Sequence, residues 1–261
     1  MNTGVGSAAR ILGILELFSE EKLEWTAEEM MDVLGYSRPT VYRYIKALKD
    51  AGFVSQHGPH GLTLGPRVVE LDFLMRKSDG LLREGQPILR DLAAILPCTA
   101  LLVRWYGNKL LCVASDVSTP DPKSSYPRGR PMPLARGAIS RAILAYLPRR
   151  QMLAKIAENL PALRDIGLGD TVEEIAETLR RMRRDGALIA RGEVTSGVIG
   201  VAAPVFDDSQ APIAVLCMTI DRDLLDDARL AKVAGAVWDA SQDLSGRLTT
   251  MRGGGVTLDA L

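Results

Sequence analysis

The stretch from Thr26 to Asp50 constrains this chain most, because it encodes two helices with barely a turn between them. Thr26 is followed three residues later by Glu29, the spacing at which each side chain satisfies a free backbone N–H of a helix's first turn. The helix it opens carries Met30, Met31 and Leu34 and is expected to stop at Gly35, a natural C-terminal breaker. Ser37 is placed to cap the next helix, with Pro39 tolerated in its first turn. Val41, Ile45 and Leu48 then fall at i, i+4 and i+7, so they share a buried face. Upstream, Ser7 precedes Ala8–Phe18, where Ile11, Leu12, Leu15 and Phe18 form another apolar stripe. Three helices with a tight second turn are expected.

The outward side of the third helix carries the information. Ser37, Arg38, Thr40, Tyr42, Arg43, Lys46 and Lys49 lie off its apolar stripe. Over Ser37–Asp50 the cations Arg38, Arg43, Lys46 and Lys49 oppose only Asp50, a local charge of +3. The whole chain balances 32 Lys and Arg against 32 Asp and Glu, so attraction to a polyanion has to come from a local concentration of this kind. Such a helix suits the major groove, with Arg and Lys reaching phosphates and base edges. After Gly52, Phe53–Val54 and Leu62–Leu64 flank a Gly58-Pro59 turn, which completes a winged helix. An ordinary three-helix bundle with a solvated basic face is the alternative, but helix order, short turn, basic third helix and wing coincide in favour of DNA. His57 and His60 stand at ligand spacing without a third ligand nearby, so they read as wing polarity, and no metal or cofactor is expected.

With 261 residues the chain has room for roughly two domains, and 47% hydrophobic with 25% charged residues describes a folded protein. The longest uncharged stretch, Val194–Phe206, is interrupted by glycine and proline and is too short to span a bilayer. With no leader-like start, a cytoplasmic location away from membranes is expected. Cys98, Cys112 and Cys217 are far apart, which supports neither a disulfide framework nor a zinc knuckle.

Pro66 begins an amphipathic segment, Arg67–Lys77, broken by Ser78-Asp79-Gly80. From Leu81 helical and strand-like patterns alternate. Helices are expected over Leu81–Leu96, Arg136–Leu147, Met152–Asn159, Val172–Arg184 and Asp223–Leu248. Thr99–Trp105 and Lys109–Ser115 flank Gly107-Asn108 as a hairpin, and Val198–Phe206 and Pro212–Ile220 flank a polar turn. Val117–Pro131 is proline-rich and read as irregular. Along Val198–Val205, side-chain alternation puts Val198, Gly200, Ala202 and Pro204 on one face and Ile199, Val201, Ala203 and Val205 on the other. The small face leaves room for a ligand or for close helix packing. Ile213, Val215, Cys217 and Thr219 share a face of the next strand, and a buried thiol and hydroxyl need partners. Gly137 and Ala138 open the Arg136 helix, where free backbone N–H groups favour an anion.

The stretches SAARILGILELF, YSRPTVYRYIKALKDAGFV and LTLGPRVVEL resemble the IclR family of bacterial transcription regulators. GRPMPL, RAILAYLP and GEVTSGVIGVAAPVFDDSQAPIAVLCMTI resemble its effector domain. The resemblance implies an α+β chain: a winged helix-turn-helix over 1–65, a linker helix over 66–80, a GAF-like antiparallel-sheet effector domain over 81–250, and a flexible tail over 251–261. It implies pairing of the winged helices, as a homodimer or a dimer of dimers, on double-stranded operator DNA. It also implies a small-molecule effector, a carboxylate by expectation, held by Gly137, Ala138, Glu193, Cys217 and Thr219. The sequence departs from the family pattern at Gly137-Ala138, at Ser140-Arg141 and at Ala187, and in having Cys217 and Thr219 where serines are common.

An enzyme is the first rival reading. Gly4-x-Gly6-x-x-Ala9 follows no strand, and both histidines sit in the wing, so Cys217 has no histidine base. A DNA-binding protein whose larger domain only assembles subunits is the second. The expected function is sequence-specific transcription control tuned by a ligand.

Overall fold

Three helices and a β-hairpin build the first part of the chain: α1 (Ser7–Leu15), α2 (Ala27–Leu34), α3 (Arg38–Asp50), β1 (Val54–His57) and β2 (Gly61–Leu64), followed by α4 (Pro66–Ser78). They come from a computed structural model that describes residues 6–59, 61–120, 122–123 and 126–253. The Thr26–Glu29 capping box forms as the spacing predicts. Thr26 Oγ1 accepts the Glu29 N–H at 3.2 Å and the Glu29 carboxylate accepts the Thr26 N–H at 2.8 Å. Gly35 ends α2 at φ 65°. Two expectations need correction. α1 stops at Leu15 rather than Phe18, and the Leu17 carbonyl instead accepts the Trp25 indole N–H at 3.1 Å. Ser37 holds the N-cap position of α3, but its hydroxyl pairs with Thr40 Oγ1 at 2.9 Å and caps no backbone N–H.

Ile14, Met30, Val41, Ile45 and Leu48 meet in a core completed by Trp25 and Leu62. A backbone bridge joins Trp25 to Leu62, which ties the wing to the start of α2. A Cβ on Gly65 would stand 2.2 Å from the Gly52 carbonyl oxygen, so only glycine lets the chain leave the wing along this path. α4 contains no buried residue. Of the two wing histidines, His60 lies outside the described residues.

The chain divides at Asp79 and Gly80 into two compact units. The second begins with α5 (Gly80–Ala93) and is organised by one antiparallel sheet. Its strands are β3 (Cys98–Trp105), β4 (Leu110–Val117), β5 (Pro131–Met132), β6 (Leu188–Arg191), β7 (Val198–Phe206) and β8 (Pro212–Asp221), in the order β5-β4-β3-β8-β7-β6. α5 and α10 (Asp227–Gly253) cover one face, with Leu89, Leu102, Val201, Leu216, Val233 and Leu244 in the core between. α6 (Gly137–Leu144), α7 (Arg149–Glu158), α8 (Leu160–Asp165) and α9 (Val172–Met182) cover the other, around Leu101, Val215, Ile143, Ile156 and Leu179.

Alternation along β7 sorts its residues as expected. Ile199, Val201, Ala203 and Val205 enter the α5/α10 core, while Ala202 joins the core under α6. Ile213 differs: it packs with the α5/α10 core, beside the register shift at Val205/Phe206. α5 ends at Ala93 and α6 at Leu144, both short of the expected boundaries, and α10 begins at Asp227 and runs past Leu248 to Gly253. α8, β6 and the two-residue β5 are additional; each is too short for its side chains to display a period. The expected tail beyond 253 lies outside the described residues. Among the described residues no helix is long and apolar enough to cross a membrane.

Candidate functional site

On α3, Ser37, Arg38, Tyr42, Arg43, Lys46 and Lys49 are exposed and Thr40 is half-buried. The buried Val41, Tyr44, Ile45 and Leu48 anchor the opposite face, so the polar set is held rigidly outward. Neighbours fix several of these side chains. The Tyr42 hydroxyl donates to Glu28 Oε1 at 3.2 Å, and the Arg38 guanidinium lies 5.4 Å from the Tyr42 ring centre. Lys49 Nζ donates to Gln56 Oε1 of the wing at 3.0 Å, and the Arg43 guanidinium rests 5.2 Å from the Tyr44 ring centre. Among the described residues no ion pair joins Arg38, Arg43, Lys46 or Lys49 to a carboxylate. These cations are therefore available to a polyanion.

The second unit contains a small pocket of about 40 Å³ between α6, the loop after β6, and the small-residue side of β7 and β8. Gly137, Ala138, Glu193, Cys217 and Thr219 all line it, together with Tyr126, Met132, Val194, Thr195, Val198 and Gly200. The strand pairing explains the opening. Gly200 pairs with Thr219 and Ala202 with Cys217, so missing side-chain volume on β7 leaves room beside the polar atoms of β8. A Cβ on Gly200 would lie 3.5 Å from the Ala138 Cβ.

Gly137 begins α6 at φ 84°, a left-handed conformation that favours glycine. Its N–H donates to Glu193 Oε2 at 2.9 Å, so a side chain of the protein itself holds the anion position at this helix terminus. Glu193 Oε1 also pairs with Arg141 Nη2, and Arg141 Nη1 donates to the Ile189 carbonyl at 2.6 Å. Arg141 is only 7% exposed. In the sequence Arg141 stands out only as a departure from the family pattern. A basic residue among the apolar positions of Ile139–Leu144 is the signal that marks it. Thr219 Oγ1 donates to the Thr99 carbonyl at 3.4 Å.

All three thiols are free and buried. Burial pushes the Cys217 thiol well above its ordinary range and raises Cys112 to about 11. Burial raises Cys98 too, against the opposing hydrogen bond of Ser118. Thiolate is the reactive form, so the folded protein is expected to resist iodoacetamide at pH 8 and to react at all these cysteines in urea. Mass spectrometry before and after unfolding checks this, and rapid labelling of native Cys217 would contradict it.

Residues 75–246 match the family model for the bacterial transcriptional regulator IclR C-terminal domain, and residues 7–58 match that for the IclR helix-turn-helix domain. The chain is 22% identical over 244 residues to the HTH-type transcriptional regulator KipR of Bacillus subtilis, covering 93% of this chain and 96% of that protein. It is 27% identical to BhcR of Paracoccus denitrificans, an HTH-type transcriptional regulator, over 93% of this chain and 87% of the other. Its fold is similar to an IclR-family transcriptional regulator from Brucella abortus, with a TM-score of 0.75 at 20% identity over 94% and 92% of the two chains. These relatives are regulators rather than enzymes. The winged helix with its exposed basic helix and the sheet domain with its cavity thus fall under family models that together span most of the sequence, and the chain belongs to the IclR family of DNA-binding transcriptional regulators.

Proposed function

We propose that the protein is a ligand-controlled, sequence-specific transcription regulator. Ser37, Arg38, Thr40, Tyr42, Arg43, Lys46 and Lys49 contact operator DNA, and the cavity lined by Gly137, Ala138, Glu193, Cys217 and Thr219 takes a small carboxylate effector. The observation that carries this reading is the cavity, because residues far apart in sequence converge on it with an apolar wall and few polar groups, the usual make-up of a ligand site. A ligand that prefers one arrangement of the chain shifts operator affinity by that preference, typically about 5–150-fold. The test is an anisotropy titration of operator duplex at fixed salt, with propionate, benzoate and their amides as trial effectors. A saturable change in operator affinity supports the reading. Unchanged affinity, with no calorimetric binding of any trial compound, favours a second unit that only assembles subunits.

The regulator acts as a homodimer or a dimer of dimers on a pseudo-palindromic site. In α4, Val69 is 72% exposed and Phe73 63%, with Leu74 and Met75 also exposed, an apolar surface that a second copy would bury. Phe73→Glu is expected to convert the assembly to a smaller species in light scattering without lowering the melting temperature of the winged helix. An unchanged mass would remove α4 from the interface.

A further inference from the structure

We propose that Glu193 is an internal stand-in for the effector, holding the place on Arg141 and Gly137 that an incoming small carboxylate takes over. The inference rests on the reading of this cavity as a carboxylate site. Glu193 lines the cavity and pairs with the buried Arg141. Its carboxylate is divided, one oxygen on the Gly137 N–H and the other on Arg141 Nη2. Arg141 Nη1 is already committed to the Ile189 carbonyl. Arg141 Nε is buried and has no hydrogen-bond partner among the described residues. The Nε–Nη2 edge of the guanidinium is therefore half used.

A carboxylate tethered at Glu193 spans Gly137 and Arg141 but leaves Nε unmatched. An untethered carboxylate can lie parallel to the Nε–Nη2 edge and accept from both, the two-bond geometry that makes Arg–carboxylate pairs strong and selective. The exchange leaves no buried charge alone: Arg141 keeps an anion and Glu193 moves to water. Glu193 sits in the segment from Gly192 to Gly197, whose end glycines have φ 68° and 74°. Val194 of that segment faces Gly137 so closely that a Cβ there would lie 3.0 Å from its Cγ2. Displacing Glu193 thus frees the segment that roofs the cavity, which makes ligand arrival a structural signal.

The full-length protein and two variants, Glu193→Gln and Arg141→Lys, test this with propionate, benzoate and their amides as probes. Calorimetry gives affinity, and hydrogen–deuterium exchange follows residues 192–197. Wild type is expected to bind an acid in preference to its amide, with faster exchange across 192–197 on binding. If the closed arrangement holds nine-tenths of the molecules or more, Glu193→Gln raises affinity for that acid at least about tenfold. Arg141→Lys keeps the charge and loses the two-bond edge, so acid affinity falls about tenfold or more while amide affinity is unmoved. An acid that binds wild type with unchanged exchange at 192–197, or no more tightly to Glu193→Gln, overturns the stand-in role and leaves the carboxylate site intact. Binding of amides alone, or of no probe, overturns the carboxylate reading and the stand-in role with it.

Discussion

Arg43→Ala is expected to weaken operator binding by about 1–3 kcal/mol, roughly five- to 150-fold, while leaving the melting temperature unchanged. Arg43 is exposed on α3, packs only its guanidinium against the Tyr44 ring, and pairs with no carboxylate among the described residues. Removing it takes nothing from the core of Val41, Ile45 and Leu48. Its guanidinium can meet DNA in two ways, and the same titration separates them. A base contact relaxes preference at one operator position. A phosphate contact weakens all sequences alike and lowers the salt slope by about 1. Arg149→Ala, an exposed arginine at the start of α7, serves as the control and should leave affinity unaltered. If Arg43→Ala binds like wild type across a salt series, α3 does not face DNA as described.

Gly200→Leu is expected to abolish the ligand response and preserve operator binding. Gly200 lies on β7 opposite Thr219 and under Ala138, so any larger side chain there enters the cavity. Overpacking costs about 1–3 kcal/mol of stability, which a thermal melt registers without unfolding the second unit. The first unit carries its own core and the whole of α3, so affinity for operator without ligand should stay within a factor of two or so. A ligand effect on DNA binding undiminished in Gly200→Leu would place the effector elsewhere.

Much of this was legible in the sequence, and the reasons are physical. Thr26–Glu29, Gly35 and the Val41–Ile45–Leu48 stripe are local signals, and the structure forms the helices they specify. The alternation on β7 is equally local, and it sorted Ala202 from Val201 correctly. Boundaries were less legible, because individual hydrogen bonds, which no apolar period displays, set them. α1 ends early where Leu17 serves the Trp25 indole, and the Ser37 hydroxyl turns to Thr40. Short elements such as β6 exist through pairing with β7, which no four-residue window can display. The helix start points to Gly137 and Ala138, strand alternation to Cys217 and Thr219, and the family resemblance alone to Glu193; all five line one cavity. That Glu193 would occupy the start of α6, held by a buried Arg141, depends on contacts spanning 52 and 56 positions and could not be read from spacing.

The chain is expected to read a DNA sequence through α3. Selection of binding sites from a random duplex pool by the full-length protein, at stated salt and with and without trial carboxylates, tests it most directly. Recovery of one pseudo-palindromic motif, lost with Arg43→Ala, is the predicted result. Retention that ignores sequence and vanishes with rising salt under every condition would contradict it, and would reduce the basic face of α3 to a non-specific patch.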